Sequence, residues 1–498
     1  MKYRNLRVLI LGGIVVAASA IAGCGGGNES LTISPIGPTI VEKGTTLQFA
    51  SNRDDVTWSV AGGNANGTIS ATGLYTPPAT LPVDEPEVSV LVEDSDGNSA
   101  EAFVSLRTGS TLTLSSSSRP IGPDPIEIVV AFDFGLGFNS NKFAVGEGSI
   151  HEMSIFSNGT GTVSNVFLAQ ALDLGSFGDP VNITNNNVGA IGAAAIELDS
   201  ELNPHVLLGA DIDAPRLGMR SSIDGGQTFG DPVDLVPDSD PEVSQIMTSM
   251  AIDDNDDLHV VFSTQNDTAD TGGIIYVKST DGGATWSSPV PVEEGHDELI
   301  FPTVAVSPDG NTVYVSYYDA EFDQANFEIS TDGGASFGGK LNLSNQSVSA
   351  APFTKVALDP TGNIYYSLSD DLEGDGNFEM VVRRSTDGGA SFAPAVPVQT
   401  QPNPLIFGNM AVDNLGRVDV VFSTDSDANN GLDKLSYSRS SDGGQTFSEP
   451  VEVASGTGTA TFLITALRHD SAGRLYIQFF ETADLNVATG TLSLRTAE

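Results

Sequence analysis

One eight-residue pattern recurs along this chain from residue 222 onward. It reads Ser-x-Asp-Gly-Gly-x-(Ser/Thr)-(Phe/Trp), and its five intact copies lie at residues 222–229, 279–286, 330–337, 385–392 and 440–447. Their terminal aromatic residues are 51 to 57 residues apart, and a decayed sixth copy, Asp173–Phe177, ends 52 residues before Phe229. Self-similarity at a fixed period of this size predicts a stacked or radial repeat architecture.

The chemistry of this octapeptide is that of a tight hairpin. The Gly-Gly pair supplies positive φ angles, and the carboxylate and hydroxyl groups accept hydrogen bonds from turn amides. The aromatic residue then packs on the hydrophobic layer below. No copy pairs a nucleophile with a base, so we assign a structural role to the five aspartates: Asp224, Asp281, Asp332, Asp387 and Asp442.

The octapeptide is the Asp-box, or BNR, repeat, and residues 126–498 resemble the sialidase-superfamily β-propellers. Each repeat carries four strand-like runs, here called A to D. In one repeat they are Met250–Asp253, Leu258–Phe262, Gly273–Ser279 and Ser288–Val292, and the Asp-box joins C to D. The resemblance implies an all-β propeller whose blades are four-stranded antiparallel sheets.

The number of blades is six or seven. The last repeat stops after its third strand, Gly490–Arg495, so an early strand has to complete it if the propeller closes. We expect Ile126–Phe132 to do so. The 373 residues from 126 to 498 then divide into about seven repeats, and we favour seven blades. If residues 133–164 form a loop, six blades remain.

The first 23 residues have the pattern of an export signal. Lys2, Arg4 and Arg7 precede an uncharged, largely apolar run, Val8–Ile21, which is too short to span a bilayer. The following Cys24 is the only cysteine, and Ile21–Cys24 resembles a bacterial lipobox. The resemblance implies cleavage before Cys24, lipidation of Cys24, a tether over residues 24–30, and a place in the bacterial cell envelope. Residue 25 is not aspartate, which favours the outer membrane or cell surface.

The region 31–108 alternates short strand-like runs with turns. Its segment from Trp58 through Gly73–Ala79 resembles bacterial Ig-like domains, in which the tryptophan fills the core of a small β-sandwich. Residues 109–125 are rich in serine and proline and are predicted to be a linker. The predicted order is therefore signal peptide, tether, Ig-like domain, linker and propeller.

The formal net charge of −44, from 65 acidic and 21 basic residues, makes nucleic acid and anionic lipid surfaces unfavourable partners. The expected partners are the membrane, through the lipid anchor, and a glycan or protein ligand. We expect a monomer.

The resemblance to propellers implies that the loops joining strands B and C lie on the side opposite the Asp-boxes. These loops are acidic, which predicts a cation-binding or sugar-binding rim; alternatively, exposed loops in an acidic protein are acidic without any function. The candidate rim residues are Asp211, Asp213, Arg216, Asp319, Asp323, Asp370 and Asp425. Calcium is a candidate ligand of Asp371, Glu373 and Asp375, although their loop departs from the calcium-loop pattern at its twelfth position, Val382.

Catalysis by the sialidase mechanism is disfavoured. Members of that family bind the substrate carboxylate with three arginines, one of them in an Arg-Ile-Pro motif that is missing from this sequence. Arg216 is the one arginine predicted in a B–C loop, and an acidic rim repels an anionic sugar. We therefore favour a propeller that binds glycan or protein without catalysis. The alternative is a glycoside hydrolase that uses two carboxylates of the B–C loops.

Overall fold

The protein is described by a computed structural model. It covers residues 31–497 with gaps at 35–38, 43–45, 54, 79–86, 108–114, 119–142, 147–148, 158–163, 172–180, 184–190, 211–215, 237–242, 267–270, 297–298, 345–350, 374–376, 400–405, 426–431, 457–460, 471–472 and 483–489. The signal peptide, Cys24 and the tether lie outside this range. The described chain is almost entirely β, which confirms the predicted class. Within it, no helix is long and apolar enough to cross a membrane. Two compact units divide between Ser110 and Thr111.

The first unit contains nine short strands and one 3₁₀ turn, Gly63–Asn66. The strands are β1 (Ile33–Ser34), β2 (Thr39–Glu42), β3 (Leu47–Gln48), β4 (Ala50–Ser51), β5 (Val56–Val60), β6 (Thr68–Ile69), β7 (Leu74–Thr76), β8 (Glu87–Asp94) and β9 (Ser99–Arg107). They form sheets in the orders β2-β9-β8-β5, β3-β7-β6 and β1-β4. Strands β2 and β9 are parallel, and the other pairs are antiparallel.

The three sheets of the first unit share one hydrophobic core. Phe49, Tyr75 and Val90 lie at its centre and are at most 1% exposed. Trp58, expected to fill this core, is only partly buried and packs at its edge against Phe49. Strand β7 places Tyr75 in the centre instead, and its hydroxyl donates to the Asn66 carbonyl.

The second unit begins with β10 (Ser115–Ser118) and continues with 27 further described strands. Sheet 1 contains β11 (Phe143–Gly146), β12 (Ser149–Ser157), β13 (Ser164–Ala171) and β14 (Val181–Asn182). Sheet 2 contains β15 (Ile191–Leu198), β16 (Pro204–Ala210), β17 (Arg216–Ser221) and β18 (Val233–Asp234). Sheet 3 contains β19 (Val243–Ile252), β20 (Leu258–Asn266), β21 (Thr271–Ser279) and β22 (Val290–His296). Sheet 4 contains β23 (Leu299–Val306), β24 (Val313–Asp319), β25 (Gln324–Ser330) and β26 (Gly338–Asn342).

The remaining three sheets follow the same plan. Sheet 5 contains β27 (Ala351–Leu358), β28 (Ile364–Asp370), β29 (Glu379–Ser385) and β30 (Val396–Pro397). Sheet 6 contains β31 (Ile406–Val412), β32 (Val418–Thr424), β33 (Lys434–Ser440) and β34 (Val451–Ser455). Sheet 7 contains β35 (Thr461–His469), β36 (Leu475–Thr482) and β37 (Gly490–Ala497), and β10 pairs antiparallel with β37 as its fourth strand.

The first strands of the seven sheets form a closed circle of contacts. Each touches the first strand of the next sheet, and β35 of sheet 7 touches β11 of sheet 1. The arrangement agrees with the β-propeller predicted from the repeats. An early segment completes the last sheet, as expected, but the segment is Ser115–Ser118, within the predicted linker. Ile126–Phe132, the expected strand, lies outside the described residues.

The hydrophobic core lies between neighbouring sheets. One cluster joins Leu207 and Met219 of sheet 2 to Val260 and Phe262 of sheet 3. Five further clusters repeat this arrangement between sheets 1 and 2, 3 and 4, 4 and 5, 5 and 6, and 6 and 7. Each sheet is therefore buried by the next one around the circle.

Every Asp-box closes on itself through the same hydrogen bonds. The Ser279 hydroxyl donates to Asp281 Oδ1 (2.8 Å) and accepts from the Gly283 amide (2.9 Å). Asp281 Oδ1 also accepts from the Thr285 amide (2.8 Å), and its Oδ2 accepts from the Thr285 hydroxyl (2.6 Å). The other four boxes repeat these bonds. Hydrogen bonds that favour the carboxylate lower the pKa of Asp332 to about 2, with the Ser336 hydroxyl contributing most.

The second glycine of each Asp-box lies against the preceding sheet. A Cβ on Gly283 would lie 2.9 Å from Met219 Cγ, and one on Gly389 would lie 3.1 Å from the Phe327 ring. The terminal aromatic packs the same way: Trp286 joins the cluster between sheets 2 and 3. The box is therefore a contact between sheets as well as a turn.

The A–B turns carry a second aspartate motif. Asp253 Oδ1 accepts from the amides of Asn255 (2.8 Å) and Asp257 (3.0 Å), and Oδ2 lies 3.4 Å from His259 Nε2. Equivalent turns are built on Asp199, Asp359 and Asp413. The A–B turns also bond to Asp-boxes, as in the Gly333 amide donating to the Asn311 carbonyl (2.8 Å). Both kinds of turn therefore lie at the same end of the sheets, as predicted, and the B–C loops lie at the other end.

Asp281→Ala should destabilise the protein by about 1 kcal/mol at pH 7, because it orphans the Thr285 amide and hydroxyl at a site that water reaches. The fold lowers the pKa of Asp281, chiefly through the Thr285 hydroxyl, so its contribution is present above the unfolded pKa and lost as pH falls below about 4. Thermal unfolding from pH 7 to pH 3 measures this. The control is Asp254→Ala, an exposed aspartate on the A–B turn of the same sheet; an equal loss in both variants would contradict a role for the box.

Gly334→Ala should cost several times more stability than Gly333→Ala. Both glycines have positive φ, 89° and 71°, and so share the cost of a side chain in that region, about 1–2 kcal/mol. A Cβ on Gly334 would also overlap the Tyr276 ring of sheet 3, whereas one on Gly333 meets only the Gly310 carbonyl at 3.7 Å. Chemical denaturation of the two variants compares them. Similar losses would show that the inter-sheet contact at Gly334 is loose.

Candidate ligand-binding site

The carboxylates predicted on the rim lie at the ends of the second strands, but several are buried. Asp319 and Asp370 are the last residues of β24 and β28, and Asp425 directly follows β32. They are 0%, 0% and 5% exposed. The exposed acidic rim expected at these positions is therefore wrong for Asp319, Asp370 and Asp425, because each carboxylate turns inward.

The remaining candidates are dispersed. Asp211, Asp213 and Asp375 lie outside the described residues, and Arg216 is the first residue of β17 rather than a loop residue. Asp371 is fully buried and Glu373 is exposed. Across the described ranges, no group of three or more His, Cys, Asp or Glu side chains is placed to hold a metal ion.

Asp319 and Asp323 shape the turn between β24 and β25. Asp319 Oδ1 accepts from the Phe322 amide (3.3 Å), and Asp323 accepts from the Tyr318 hydroxyl. Asp323 has a positive φ of 57°, a conformation that aspartate tolerates better than most residues. The turn projects Phe322 outward, and its side chain is 53% exposed.

His296, the last residue of β22 in sheet 3, reaches this turn from the neighbouring sheet. Its Nδ1 lies 3.3 Å from Asp319 Oδ2 and 3.5 Å from Glu321 Oε2. The Phe322 ring meets the imidazole edge to face, with centroids 5.4 Å apart. We call Phe322, Glu321, His296 and Asp319 the Phe322 site; it offers an exposed aromatic ring beside a carboxylate and an imidazole.

A second network lies beside it, around the Tyr317 hydroxyl. This hydroxyl donates to Glu328 Oε1 (2.7 Å) and lies within hydrogen-bonding distance of Glu293 Oε2 (3.1 Å). Glu293 Oε2 is also 2.5 Å from Lys340 Nζ, and its Oε1 is 3.5 Å from His296 Nε2. Tyr317 and Glu328 are 0% and 4% exposed, so this network is closed to solvent except on its Glu293 side.

The surroundings push the pKa values of the two glutamates in opposite directions. Burial raises the pKa of Glu328, and the Tyr317 hydrogen bond only partly offsets it. Burial also acts to raise the pKa of Glu293, but the hydrogen bond and charge of Lys340 outweigh it and the pKa is lowered. Burial and the charge of Glu328 raise the pKa of Tyr317, so its hydroxyl stays protonated.

His296, Glu293, Tyr317, Glu328 and Lys340 were missed as site residues. The one local signal was Glu328, a charged residue within a strand of otherwise uncharged residues. Tyr317 lies in a strand whose sequence alone predicts core packing for a tyrosine. Contacts between two sheets leave no such local signal.

A surface cleft of about 410 Å³ lies at the opposite end of the sheets, where the Asp-boxes of sheets 5 and 6 adjoin. It is lined by residues of those boxes and their flanks, among them Arg384, Asp387, Phe392 and Gln445. None of the predicted rim residues contributes to it.

No protein-family model matches the chain, and no curated protein matches it. Solved structures to which it is similar include an α-L-arabinanase of Penicillium chrysogenum complexed with arabinobiose, at 12% identity over 60% of this chain and 91% of that chain, with a TM-score of 0.44. An ulvan lyase from a new family of polysaccharide lyases shares 16% identity over 72% and 93% of the two chains, with a TM-score of 0.48. A Hadza microbial sialidase shares 12% over 76% of each chain, with a TM-score of 0.43.

Glu328→Gln should stabilise the protein at pH 7 by about 1 kcal/mol, because it removes a buried charge and keeps an acceptor for Tyr317. A carboxyl whose folded pKa is raised contributes stability below its unfolded pKa and loses it as pH rises through the folded pKa. The gain should therefore shrink toward pH 4, as measured by thermal unfolding. Glu294→Gln, an exposed neighbour, is the control. A loss of stability at every pH would show that the charge of Glu328 is needed.

Proposed function

We propose that this chain is a lipid-anchored cell-envelope protein whose propeller binds a glycan at the Phe322 site without catalysis. The seven sheets are the seven blades of the propeller, and β10 closes the ring as the outer strand of the last blade. The closed circle of contacts between first strands supports this number.

The anchor and spacer rest on the sequence. Cys24 follows a signal-peptide pattern and a lipobox, and it is the acylated residue of this proposal. The first unit is an Ig-like spacer between the anchor and the propeller; its sheets around one core support this. The protein then lies at the outer membrane or cell surface.

The observation that carries the ligand class is the exposure of Phe322 beside His296 and Glu321. Within the described ranges Phe322 is the one large aromatic side chain with more than half of its surface exposed. Binding sites for small molecules combine an apolar surface with a few convergent polar groups. An aromatic face covers the apolar C–H face of a sugar ring, and the carboxylate of Glu321 accepts hydrogen bonds from its hydroxyls.

The burial of Tyr317 and Glu328 supports binding without catalysis. A nucleophile or an acid has to reach the reacting atoms within about 3 Å, and these groups instead bond to each other beneath the surface. The charge of Glu328 further opposes ionisation of Tyr317.

A glycoside hydrolase is the second candidate. Glu293 Oε2 lies 3.1 Å and Glu328 Oε1 lies 2.7 Å from the Tyr317 hydroxyl oxygen. The two carboxylate oxygens are therefore close to each other. The pKa of Glu328 is raised and that of Glu293 is lowered. In a glycosidase pair, the carboxyl group with the raised pKa is the general acid and the other is the second, ionised carboxylate. Hydrolysis by these residues requires the buried network around Tyr317 to become accessible to a substrate.

Phe322→Ala should weaken glycan binding at least tenfold on a glycan array, followed by calorimetry on the best hit, and leave thermal stability unchanged. Ile223→Ala is the matched control, because Ile223 is 91% exposed and belongs to an Asp-box at the other end of the sheets. Equal affinity in both variants would place the ligand elsewhere.

A panel of aryl glycosides separates the two candidate functions. Turnover that Glu328→Gln abolishes would establish the hydrolase and overturn the binding proposal.

Cys24→Ala should abolish incorporation of labelled palmitate and release the protein from membranes into the soluble fraction. The reason is that the Cys24 thiol and the new amino terminus are the acylated groups of the anchor. Membrane fractionation measures the second effect, with Cys24→Ser as a second substitution. Retention of either variant in the membrane fraction would contradict the anchor.

A further inference from the structure

Three charged side chains of the first strands meet across the centre of the ring. Arg468 of β35 forms an ion pair with Glu197 of β15 through its Nη2 and Glu197 Oε1. Sheet 1 separates sheets 7 and 2 in the circle of contacts, so this pair joins two sheets that are not neighbours. We call the space enclosed by the seven first strands the axial channel. Lys355 of β27, on the far side of the circle, interacts electrostatically with both Arg468 and Glu197. Its ammonium group therefore lies within electrostatic range of the Arg468–Glu197 pair.

Lys355 is buried without a matching carboxylate. The residue is 8% exposed, and among the described residues no ion pair or hydrogen bond holds its ammonium group. Burial first, and then the charge of Arg468, lower the pKa of Lys355 to about 8. The carboxylate that acts on its charge, Glu197, is already paired with Arg468, so the Lys355 ammonium group keeps unused hydrogen-bond donors.

The three charged groups described here carry more positive than negative charge, in a protein with a formal net charge of −44. Lys355 and Arg468 supply two positive charges, and Glu197 supplies one negative charge. The positions equivalent to Glu197 and Arg468, two residues before the A–B turn, hold small side chains in four other sheets: Ala251, Ala305, Ala357 and Ala411. These alanines pack against the hydrophobic clusters between sheets, so Glu197 and Arg468 are the charged exceptions at this level.

The two ends of the channel differ. Toward the B–C loops, Phe353 packs between Phe301 and Phe407, with ring centroids 4.6 and 4.4 Å apart. Phe353 precedes Lys355 by two residues on the same strand, so this aromatic cluster lies on the B–C side of Lys355. Toward the A–B turns, the side chains of Arg468 and Glu197 are 23% and 16% exposed. Solvent therefore reaches the charged groups from the Asp-box end.

We propose that the axial channel binds one small oxyanion between Lys355 and Arg468, entering from the Asp-box end. The shared chemistry is that of a carboxylate, sulfate or phosphate group, which accepts hydrogen bonds from the ammonium and guanidinium groups at once. This site is separate from the Phe322 site, which lies at the B–C end between sheets 3 and 4. Oxyanion binding in the channel is therefore independent of glycan binding at the Phe322 site.

The test uses the full chain at pH 7 and fixed ionic strength, with thermal unfolding and calorimetry in the presence of sodium sulfate, sodium phosphate or sodium glucuronate. An oxyanion should raise the melting temperature of the wild type and bind one per chain. Lys355→Met should reduce its affinity at least tenfold. Lys278→Met is the control, because Lys278 of β21 is a partly exposed lysine paired with Asp257, and it should leave the affinity unchanged.

Glu197→Gln supplies a change of opposite sign. It removes the carboxylate that competes for Arg468, so oxyanion affinity should increase about fivefold or more, which a merely unfolded variant would not show. Binding of sulfate or phosphate identifies a free inorganic anion as the ligand, and binding of glucuronate alone identifies the carboxylate of a sugar acid. The proposal is overturned if none of the three anions stabilises the wild type, or if Lys355→Met and Glu197→Gln bind them as the wild type does.

Discussion

The contact between each Asp-box and the preceding sheet is the interaction on which the second unit depends. The box presents a glycine with positive φ where a side chain would overlap the neighbouring sheet, as Gly334 does at Tyr276 and Gly283 at Met219. Its aromatic residue fills the same gap between sheets. Because these two features recur with one period, sheets 2 to 6 are each held against the preceding sheet in the same way. A chain of such contacts bends into a circle, and β10 completes the final sheet.

This construction separates the two ends of the sheets. The Asp-boxes and the aspartates of the A–B turns satisfy their own backbone amides at one end, where Asp281 and Asp253 each accept from two or more donors. The B–C loops lie at the other end, away from these aspartate turns. The turn at Phe322 exposes an aromatic ring there. The first strands line the middle of the ring, where Arg468 and Glu197 of two non-neighbouring sheets form an ion pair.

The period, the turn chemistry and the alternation of strands predicted the all-β class, the four-stranded plan and the side on which the Asp-boxes lie. They did not predict β10, since Ser115–Ser118 has no β-branched or aromatic residue and forms a strand only because β37 offers a free edge. Nor did they predict that Asp319 is buried. A carboxylate at the end of a strand has the same local sequence whether it faces water or turns inward to a neighbouring histidine. Tyr317 was missed for a related reason: one of its two carboxylate partners, Glu293, comes from another sheet.

Closure of the ring by β10 is the central structural claim, and one disulfide tests it directly. Ser117 and Leu494 are register partners in β10 and β37, and Cys24 is the only natural cysteine. In a chain that begins at residue 25, Ser117→Cys with Leu494→Cys should lose both free thiols on mild oxidation and unfold at a higher temperature when oxidised than when reduced. Ser117→Cys with Thr461→Cys, on the inner strand of the same sheet, should keep its thiols free. Free thiols in the first pair under the same conditions would contradict the closed ring of seven sheets.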